Sequence, residues 1–397
     1  MIKSVRLKNF KSFREAEIPL ERFTVFVGAN GSGKTTVLEA VRCLSAMTVT
    51  VGKKNLVYGL FKDRFSPSQI LRKGSTDCME FGCDVESAGK SSSLRCAFAF
   101  QGHSQSDRIS KWLFSATRDQ FPPWILRVEE QPESADSGDP STNITDIKGY
   151  ESNLDFPISP GLLLRLNARD IIEPSEDDKL EISESGRGIA AVLVEMALSQ
   201  PDQFKLLQVA VNSVIPAFER VRMIKTTLLR TENLVYRDGE RTITQPVGRR
   251  LSGHKLILDM KNAADIPGGS ASEGTLLVIA IFTLLMGPSQ PKLLLLDDID
   301  RGLHPKAMGD LVKVIRKLME QDPELQIIAT SHSPYLLDHL EYKEVRLTSL
   351  DADGVAHVGM LSDYPEFEQW KDVMRPGELW STVGEDWLTE NGKKSNG

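Results

Sequence analysis

The sequence has little cysteine and no long apolar segment. The longest apolar run, Leu276–Met286, is shorter than the roughly 20 residues of a membrane-spanning helix. None of the four cysteines belongs to a C-x-x-C pair, which argues against a zinc site or disulfides and favours free thiols. They are Cys43, Cys78, Cys83 and Cys96. The first residues lack the apolar core of a signal peptide, so we expect a cytoplasmic protein that does not enter a membrane by itself.

The chain as a whole has no excess of positive charge. The 48 basic residues are outnumbered by 55 acidic ones, and the net charge is −7. This balance argues against a protein that coats nucleic acid without selectivity, although it leaves room for a local basic patch. The length of 397 residues is enough for two or three structural units.

A glycine-rich stretch near the N-terminus predicts a phosphate-binding loop. The sequence GANGSGKTT, residues 28–36, has the form G-x-x-x-x-G-K-[ST]. A β-forming run precedes it at 23–27, and an apolar stripe with helical spacing follows over 34–46, which is the context that such a loop needs. Lys34 is predicted to contact the β and γ phosphates, and the hydroxyl of Thr35 to bind Mg²⁺. The predicted nucleotide ligands are Gly28, Ala29, Asn30, Gly31, Ser32, Gly33, Lys34, Thr35 and Thr36.

Two later segments place polar residues after buried strands. Leu293–Leu296 is followed by Asp297 and Asp298, and carboxylates at the carboxyl end of a parallel strand are placed to act on a bound ligand. We predict that Asp297 binds Mg²⁺ and that Asp298 orients the attacking water. A second strand, around Ile327, leads to His332, which would sense the γ-phosphate. The alternatives are a solvated strand end for the two aspartates and a structural role for the histidine.

A fourth motif precedes an apolar helix. In SASEGTL, residues 270–276, Ser272 can cap the helix, and the free N–H groups at its start form an anion site. By itself this pattern is most often an ordinary helix cap.

Together these segments resemble the ABC-type ATPase heads of the OLD, RecF and SMC group, particularly small AAA-like ATPases related to OLD. The opening IKSVRLKNFKSF (2–13) is similar to the first strand of that group, and GANGSGKTT to its Walker A motif. SASEGTL resembles the signature motif, LLLLDDIDRGLHP (293–305) the Walker B motif and D-loop, and ATSHSPYLLD (329–338) the switch-histidine segment. The resemblance covers roughly residues 1–100 and 255–350.

The resemblance implies a particular fold and mechanism. The fold is α/β: a P-loop NTPase with an ABC-ATPase-type head, a mixed sheet flanked by helices, and a helical and β insertion. Two heads would meet around two ATP molecules, with Ser272 and Gly274 of one head closing on the nucleotide of the other. ATP and Mg²⁺ are the implied cofactors, and Lys34, Asp298 and His332 the implied catalytic residues.

The chain departs from the group at one catalytic position. The group has Glu after the Walker B aspartate, where this chain has Asp298. The lost methylene moves the carboxylate by more than about 1 Å, so we expect slow turnover and a long-lived ATP-bound dimer. Gln69 is only a weak candidate for the Q-loop residue.

The motifs and composition divide the chain into four parts. Residues 1–103 and 251–361 form the two halves of the head, and 362–397 a tryptophan-containing tail. Residues 104–250 form an insertion, with a helical part at 188–225. Its segment 128–157 carries eight acidic residues and one basic residue, which predicts an exposed or disordered loop.

Other features bear on what an ATPase switch would control. Only 65 residues follow His332, fewer than the roughly 100 of a separate domain, so we expect no Toprim nuclease like that of OLD proteins. The Asp351-Ala-Asp353-Gly segment is better explained as a hairpin turn than as a metal site. Residues 220–261 hold ten basic residues against four acidic ones, which indicates DNA contacts or a solvated charged face. The tail tryptophans would dock a partner or pack on their own head.

Three functions remain open from the sequence. The first is a homodimerising ATPase that senses or clamps DNA and acts with a separate effector in anti-phage defence or DNA repair. The second is a scaffold or inhibitor in which ATP is mainly structural and which holds and releases a toxin-like partner. The third, the nucleotide subunit of a membrane transporter, is disfavoured by the long insertion and the RecF-like opening.

Overall fold

The computed structural model describes most of the chain in two compact units. The described residues are 1–50, 71–72, 79–87, 90–100, 109–118, 121–130, 142–148, 160–176, 180–238 and 241–389. The first unit comprises Met1–Leu163, Pro291–Ile299 and Gln321–Gly397, and the second Leu164–Gln290 and Asp300–Glu320.

A six-stranded sheet carries the predicted nucleotide motifs. Its strands are β3 (Phe23–Gly28), β9 (Gly161–Leu164), β14 (Leu293–Leu296), β15 (Gln326–Thr330), β16 (Val345–Leu350) and β17 (Ala356–Met360). Their spatial order is β17-β16-β3-β15-β14-β9. Strands β14, β15, β3 and β16 are parallel neighbours, while β17 is antiparallel to β16. β14 and β15 are buried throughout, as expected for short apolar strands covered on both faces.

A seven-stranded antiparallel sheet forms the rest of the β structure in this unit. Its strands are β1 (Ile2–Phe10), β2 (Phe13–Pro19), β4 (Met79–Ser87), β5 (Lys90–Phe100), β6 (Ile109–Arg118), β7 (Phe121–Glu130) and β8 (Thr142–Lys148), in the order β2-β1-β4-β5-β6-β7-β8. The boundary predicted between the first half of the head and the insertion, at residue 104, falls between β5 and β6 of this sheet. The loop predicted at 128–157 is wrong for residues 128–130 and 142–148, which belong to the paired strands β7 and β8. The other residues of that segment lie outside the described part.

The core of the first unit lies around the helix that follows β3. This helix, α1 (Lys34–Thr50), buries Val37, Leu38, Val41 and Leu44 at helical spacing. The same apolar cluster includes Phe10 and Phe81 of the antiparallel sheet, whose rings are 5.9 Å apart, and Leu295 of β14. The cluster therefore fixes α1, and with it the end of the phosphate loop, against both sheets.

The second unit combines helices with a long hairpin. The helices are α2 (Ala168–Ile171), α3 (Ile189–Ser199), α4 (Pro201–Val214), α5 (Glu273–Met286) and α6 (Pro305–Gln321). The strands are β10 (Ser175–Glu176), β11 (Phe218–Asp238), β12 (Arg241–Met260) and β13 (Ala263–Pro267). The helical part predicted over 188–225 therefore ends early, because residues from Phe218 onward pair with β12 in one continuous ladder.

The C-terminal residues pack on the first unit. The short helix α7 (Pro334–Leu337) lies between β15 and β16, and the short helices α8 (Phe367–Trp370) and α9 (Pro376–Val383) follow β17. The hairpin turn predicted between β16 and β17 is present: Gly354 has φ +71°, and Asp351 accepts hydrogen bonds from the N–H groups of Asp353 and Val355. Among the described residues, no helix is long and apolar enough to cross a membrane.

Candidate functional site

The phosphate loop connects β3 to α1 in a conformation that requires glycine. Gly28, Gly31 and Gly33 have φ values of +142°, +79° and +106°, in the region that residues with a side chain rarely adopt. A Cβ at Gly28 would lie 2.1 Å from the carbonyl oxygen of Thr348. Successive backbone N–H groups in such a loop form a concave site for an anion.

The other residues of the motif differ in exposure. Ala29, Asn30 and Gly31 are exposed at the tip of the loop, and Thr36 is half-buried in the first turn of α1. Ser32 is buried, and its hydroxyl shares a hydrogen bond with that of Thr348 on β16. The loop is thus open to a ligand at its tip and fixed to the sheet at its base.

The ammonium of Lys34 lies inside the loop. It donates hydrogen bonds to the carbonyl oxygens of Gly28 and Ala29, both at 2.9 Å. Burial lowers the pKa of Lys34 from its ordinary value, and the negative charges of Asp298, Asp297 and Glu385 act in the opposite direction. The lysine therefore has three carboxylates in its electrostatic environment, one of which comes from the C-terminal tail.

Three neighbouring strands bring the candidate metal ligands together. The hydroxyl of Thr35, at the start of α1, donates to both carboxylate oxygens of Asp297, at 3.0 and 3.2 Å. Asp297 directly follows β14, and Thr330 at the end of β15 donates to it at 2.8 Å. Because β14 and β3 both flank β15, the hydroxyl and the carboxylate meet at one edge of the sheet.

Thr330 was not identified from the sequence. It also accepts a hydrogen bond from the N–H of Asp298 at 2.8 Å, and its carbonyl accepts from Ile299 at 3.0 Å. It therefore orients the whole Asp297–Ile299 segment. Thr330 is the last residue of the buried strand β15, two residues before His332, and this position alone did not mark it as a site residue.

Asp298 and His332 lie side by side at the same edge. The Nε2 atom of His332 is 3.7 Å from Oδ1 of Asp298, and both side chains are nearly half exposed. Asp298 has a φ of +55°, a left-handed backbone that is uncommon for a residue other than glycine. Such conformations often occur at functional sites, where the surrounding structure holds them. The geometry leaves both side chains accessible to a ligand on the phosphate loop.

The predicted signature residues belong to the second unit. Ser272 is exposed and caps α5, accepting from the N–H of Thr275 at 3.3 Å. Gly274 is buried, and a Cβ there would lie 2.3 Å from the carbonyl oxygen of Gly302. An ion pair of 2.9 Å between Arg301 and Glu273 joins the same two segments. The helix cap expected from the sequence is confirmed, and the start of α5 is fixed against the segment that follows Asp297 and Asp298.

The basic residues of 220–261 lie in part on the long hairpin. Arg220 and Arg222 both donate to the buried carboxylate of Asp259, at 2.7–3.0 Å, and so are used within the fold. Lys225 and Arg250 instead line a shallow groove of about 430 Å³, together with Thr226, Thr227, Leu251 and Ser252. The exposed residues Arg249, Lys255 and Lys261 are also in the basic segment. The side chains of Arg230, Arg237 and Arg241 lie outside the described residues.

Two further predictions concern single residues. Cys43 and Cys83 are buried thiols that belong to no disulfide, and burial raises the pKa of Cys83 to about 12. Cys78, Gln69 and the side chain of Cys96 lie outside the described residues.

The residues at the sheet edge fit a nucleotide and Mg²⁺. The glycine loop is a cradle that added Cβ atoms would fill or strain, and Lys34 supplies a cation within it. Thr35 and Asp297 supply hydroxyl and carboxylate oxygens, the ligands that Mg²⁺ prefers. The site therefore has the donors for a polyphosphate and for a hard divalent cation.

The fold and this site define an ATPase domain of the AAA type. A family model described as "AAA domain, putative AbiEii toxin, Type IV TA system" matches residues 23–338. The match spans most of the chain, which therefore belongs to this family.

Two curated relatives show local similarity. The chain is 30% identical to the Septu protein PtuA of Bacillus thuringiensis over 105 residues, which is 25% of this chain and 26% of the relative. It is 44% identical to the OLD nuclease of Thermus scotoductus over 41 residues, 10% of this chain and 8% of the relative. The similarity thus spans at most about a quarter of these relatives.

Proposed function

We propose that the protein is an ATP-binding and ATP-hydrolysing switch of the OLD and RecF-like group. The observation that carries the proposal is the meeting of the glycine loop, Lys34, and the Thr35–Asp297 pair at the ends of adjacent strands. A carboxylate and an imidazole, Asp298 and His332, stand 3.7 Å apart beside them. This set of groups suits transfer of a phosphoryl group to water, in which positioning and charge stabilisation supply most of the rate.

Each group has a role in the proposed reaction. Lys34 and the N–H groups of the loop bind the β and γ phosphates, and Thr35 and Asp297 hold Mg²⁺. The metal ion, when bound, neutralises charge on the phosphates. Asp298 orients the attacking water and accepts its proton, while His332 contacts the γ-phosphate. Thr330 keeps Asp297 and the backbone of Asp298 in place through two hydrogen bonds of 2.8 Å.

Dimerisation around ATP is the second part of the proposal. Ser272 is exposed at the start of α5, where helix N–H groups favour an anion. We infer that this end of α5, with Gly274, contacts the γ-phosphate held by a second copy of the chain. Binding of ATP would then close the dimer and hydrolysis would open it, so a slow reaction at Asp298 gives a long-lived closed state.

The proposed output is the sensing or clamping of DNA, coupled to a separate effector in anti-phage defence or DNA repair. The groove with Lys225 and Arg250 offers two cations and three hydroxyl groups on an exposed hairpin, which suits contacts with phosphates. The local similarity to a protein named as a nuclease supports a link to nucleic acid.

Steady-state ATP hydrolysis with and without linear double-stranded DNA tests this function. Lys34→Ala is the blank, because it removes the cation from the loop. We expect slow hydrolysis that DNA stimulates, and loss of the stimulation in Lys225→Ala/Arg250→Ala with the basal rate retained. A wild-type rate equal to that of Lys34→Ala would contradict the ATPase proposal.

A second candidate function is a scaffold that holds and releases a toxin-like partner, with ATP mainly structural. Asp298 in place of Glu favours it, and the description of the family names a toxin and a toxin–antitoxin system. Hydrolysis that does not respond to DNA but changes on addition of a copurifying protein would favour this function over DNA sensing.

A further inference from the structure

Thr348, on β16, contacts the phosphate loop from the side of the sheet. It is buried and lies opposite Gly28 in the parallel ladder between β16 and β3. Its hydroxyl donates to the carbonyl oxygen of Val27 at 3.2 Å and shares a hydrogen bond with the hydroxyl of Ser32. Because Thr348 gives its one hydroxyl proton to Val27, the Ser32 hydroxyl is the donor in the second bond. β16 is therefore joined both to the residue before the loop and to the loop itself.

Ser32 is the loop residue whose position depends on this bond. It lies between Gly31 and Gly33, which have φ values of +79° and +106°. Glycine adopts many backbone conformations, so two flanking glycines leave the residue between them free to move unless its side chain is held. Ser32 is 1% exposed, and its hydroxyl is used on Thr348. The bond therefore fixes the backbone of the loop between the two glycines.

The next residue of the loop is held by packing instead. A Cβ at Gly33 would lie 3.1 Å from the ring of Phe13 and 3.3 Å from the Cβ of Ala356 on β17. The N–H of Ala356 donates to the carbonyl oxygen of Ser12 at 2.9 Å, which holds the start of β17 against the turn between β1 and β2. These contacts do not involve the Thr348 hydroxyl, so its loss should loosen the loop without unfolding the protein.

We propose that Thr348 is a positioning residue for the nucleotide: its hydroxyl, acting through Ser32, keeps the phosphate loop in the shape that binds phosphate. Thr348 is buried, so it acts through the loop rather than on the ligand. A loop that must become ordered on binding has a lower affinity than one already ordered. The proposed loop contacts include the β-phosphate, which ATP and ADP share, so the effect applies to both nucleotides. This inference rests on the proposed nucleotide site.

The test removes the hydroxyl while keeping the size of the side chain. Thr348→Val does this, and Thr348→Ser keeps the hydroxyl. Thr24→Val is the matched control, because Thr24 is also a buried threonine, near the opposite end of β3, and its hydroxyl bonds to the backbone of Glu21. The measurements are the Kd of fluorescent ATP and ADP analogues with Mg²⁺ by anisotropy, KM and kcat from phosphate release, and the melting temperature.

We expect Thr348→Val to bind both analogues roughly five- to fiftyfold more weakly than wild type. KM should rise while kcat at saturating ATP stays within about a factor of two, since the groups proposed to act on water and Mg²⁺ lie on other strands. Thr348→Ser should restore the affinity. Thr24→Val should lower the melting temperature and keep the wild-type Kd.

A double-mutant cycle with Ser32→Ala separates positioning from a loss of stability. Ser32→Ala should weaken binding about as much as Thr348→Val, and the combination should add little, because each change removes the same bond. The double variant also removes the buried hydroxyl that Thr348→Val leaves without a partner, so its melting temperature should recover in part. An affinity that recovers together with the melting temperature would overturn the proposal, because the unpaired hydroxyl would then have caused the loss.

An unchanged Kd in a folded Thr348→Val protein would also overturn the positioning role and leave the nucleotide site standing. If wild type and Lys34→Ala both fail to bind the analogues at any concentration tested, the proposed function fails as well. The two failures are therefore distinguishable in one titration series.

Discussion

Two glycines of the phosphate loop differ in how much an added Cβ atom should cost in stability. Gly28 and Gly31 both have positive φ, but they differ in surroundings: a Cβ at Gly28 would lie 2.1 Å from Thr348 O, and one at Gly31 would meet nothing within 4 Å. We expect Gly28→Ala to lower the free energy of unfolding by on the order of 3–4 kcal/mol. Gly31→Ala should cost only the left-handed strain, about 1–2 kcal/mol.

Urea unfolding followed by circular dichroism checks this difference, and each variant is the control for the other. Because Gly31 lies at the exposed tip, its variant should remain folded and lose nucleotide affinity instead. Equal losses of stability in the two variants would contradict the steric argument at Gly28.

A substitution at Asp298 should change the rate of hydrolysis without changing the stability of the protein. The φ of +55° at Asp298 is a conformation that Asn adopts readily, so Asp298→Asn should leave the melting temperature close to wild type. Because the amide cannot take a proton from water, we expect kcat for ATP hydrolysis to fall about 100-fold or more. Phosphate release at saturating ATP measures this effect.

The matched control is Asp353→Asn, the same chemical change in the exposed turn between β16 and β17, which should retain the wild-type rate. Nucleotide binding by Asp298→Asn should also persist, since Lys34 and the loop are intact. A kcat within a factor of two of wild type would show that Asp298 does not act on the attacking water.

The residues of the site were predictable to different degrees. Lys34, Thr35 and Asp297 belong to motifs with fixed chemistry, and the structure brings them together at one sheet edge. Thr330 was missed because a threonine at the end of a strand carries no signal until the strand order is known. The influence of the Glu385 charge on Lys34 was missed because about 350 residues separate the two in the chain.

At the level of elements, apolar runs were more informative than charge. β14, β15, α1 and α5 were predicted from apolar residues at strand or helical spacing, and the structure buries those residues. The segment 218–225 was wrongly expected to be helical. Its buried and exposed residues alternate only in part, so the strand period is weak. Its pairing partners lie near the end of β12, more than 25 residues further along the chain, and the local sequence does not indicate that pairing.

The base of this hairpin supports a pH-dependent prediction. The Arg222 guanidinium, with help from the Asp265 N–H and Arg220, holds the pKa of Asp259 well below its ordinary value. A folded-state pKa below the unfolded one means that folding releases protons, so the stabilisation is complete above about pH 4 and is lost as pH falls towards the lower folded value. Thermal unfolding between about pH 2.5 and 6 measures this slope.

In Asp259→Asn we expect a flatter dependence of the melting temperature on pH within that window. Arg222→Met should flatten it as well, because Arg222 is the largest cause of the lowered pKa. If both variants retain the wild-type slope, the pH dependence originates elsewhere in the molecule.

At the scale of the whole molecule, the two compact units hold different parts of the proposed ATP switch. The first unit carries the phosphate loop, Asp297, Asp298 and His332, and the second carries Ser272 at the start of α5. A switch of this kind responds to ATP only if the closed state makes contacts that the open state lacks. In the proposed dimer, those contacts are the ones between Ser272 of one copy and the nucleotide of the other.

Assembly in solution tests that arrangement directly. In the Asp298→Asn background, which should retain ATP, we expect ATP and Mg²⁺ to convert monomer to dimer in sedimentation velocity. Adding Ser272→Asp should abolish the dimer: aspartate caps a helix as well as serine does, so α5 keeps its start, but its charge repels the γ-phosphate of the other copy. Ser272→Thr keeps the hydroxyl and should dimerise. An ATP-dependent dimer that persists with Ser272→Asp would place the contact between copies on another surface, because the folded state and the nucleotide site are unchanged in that variant.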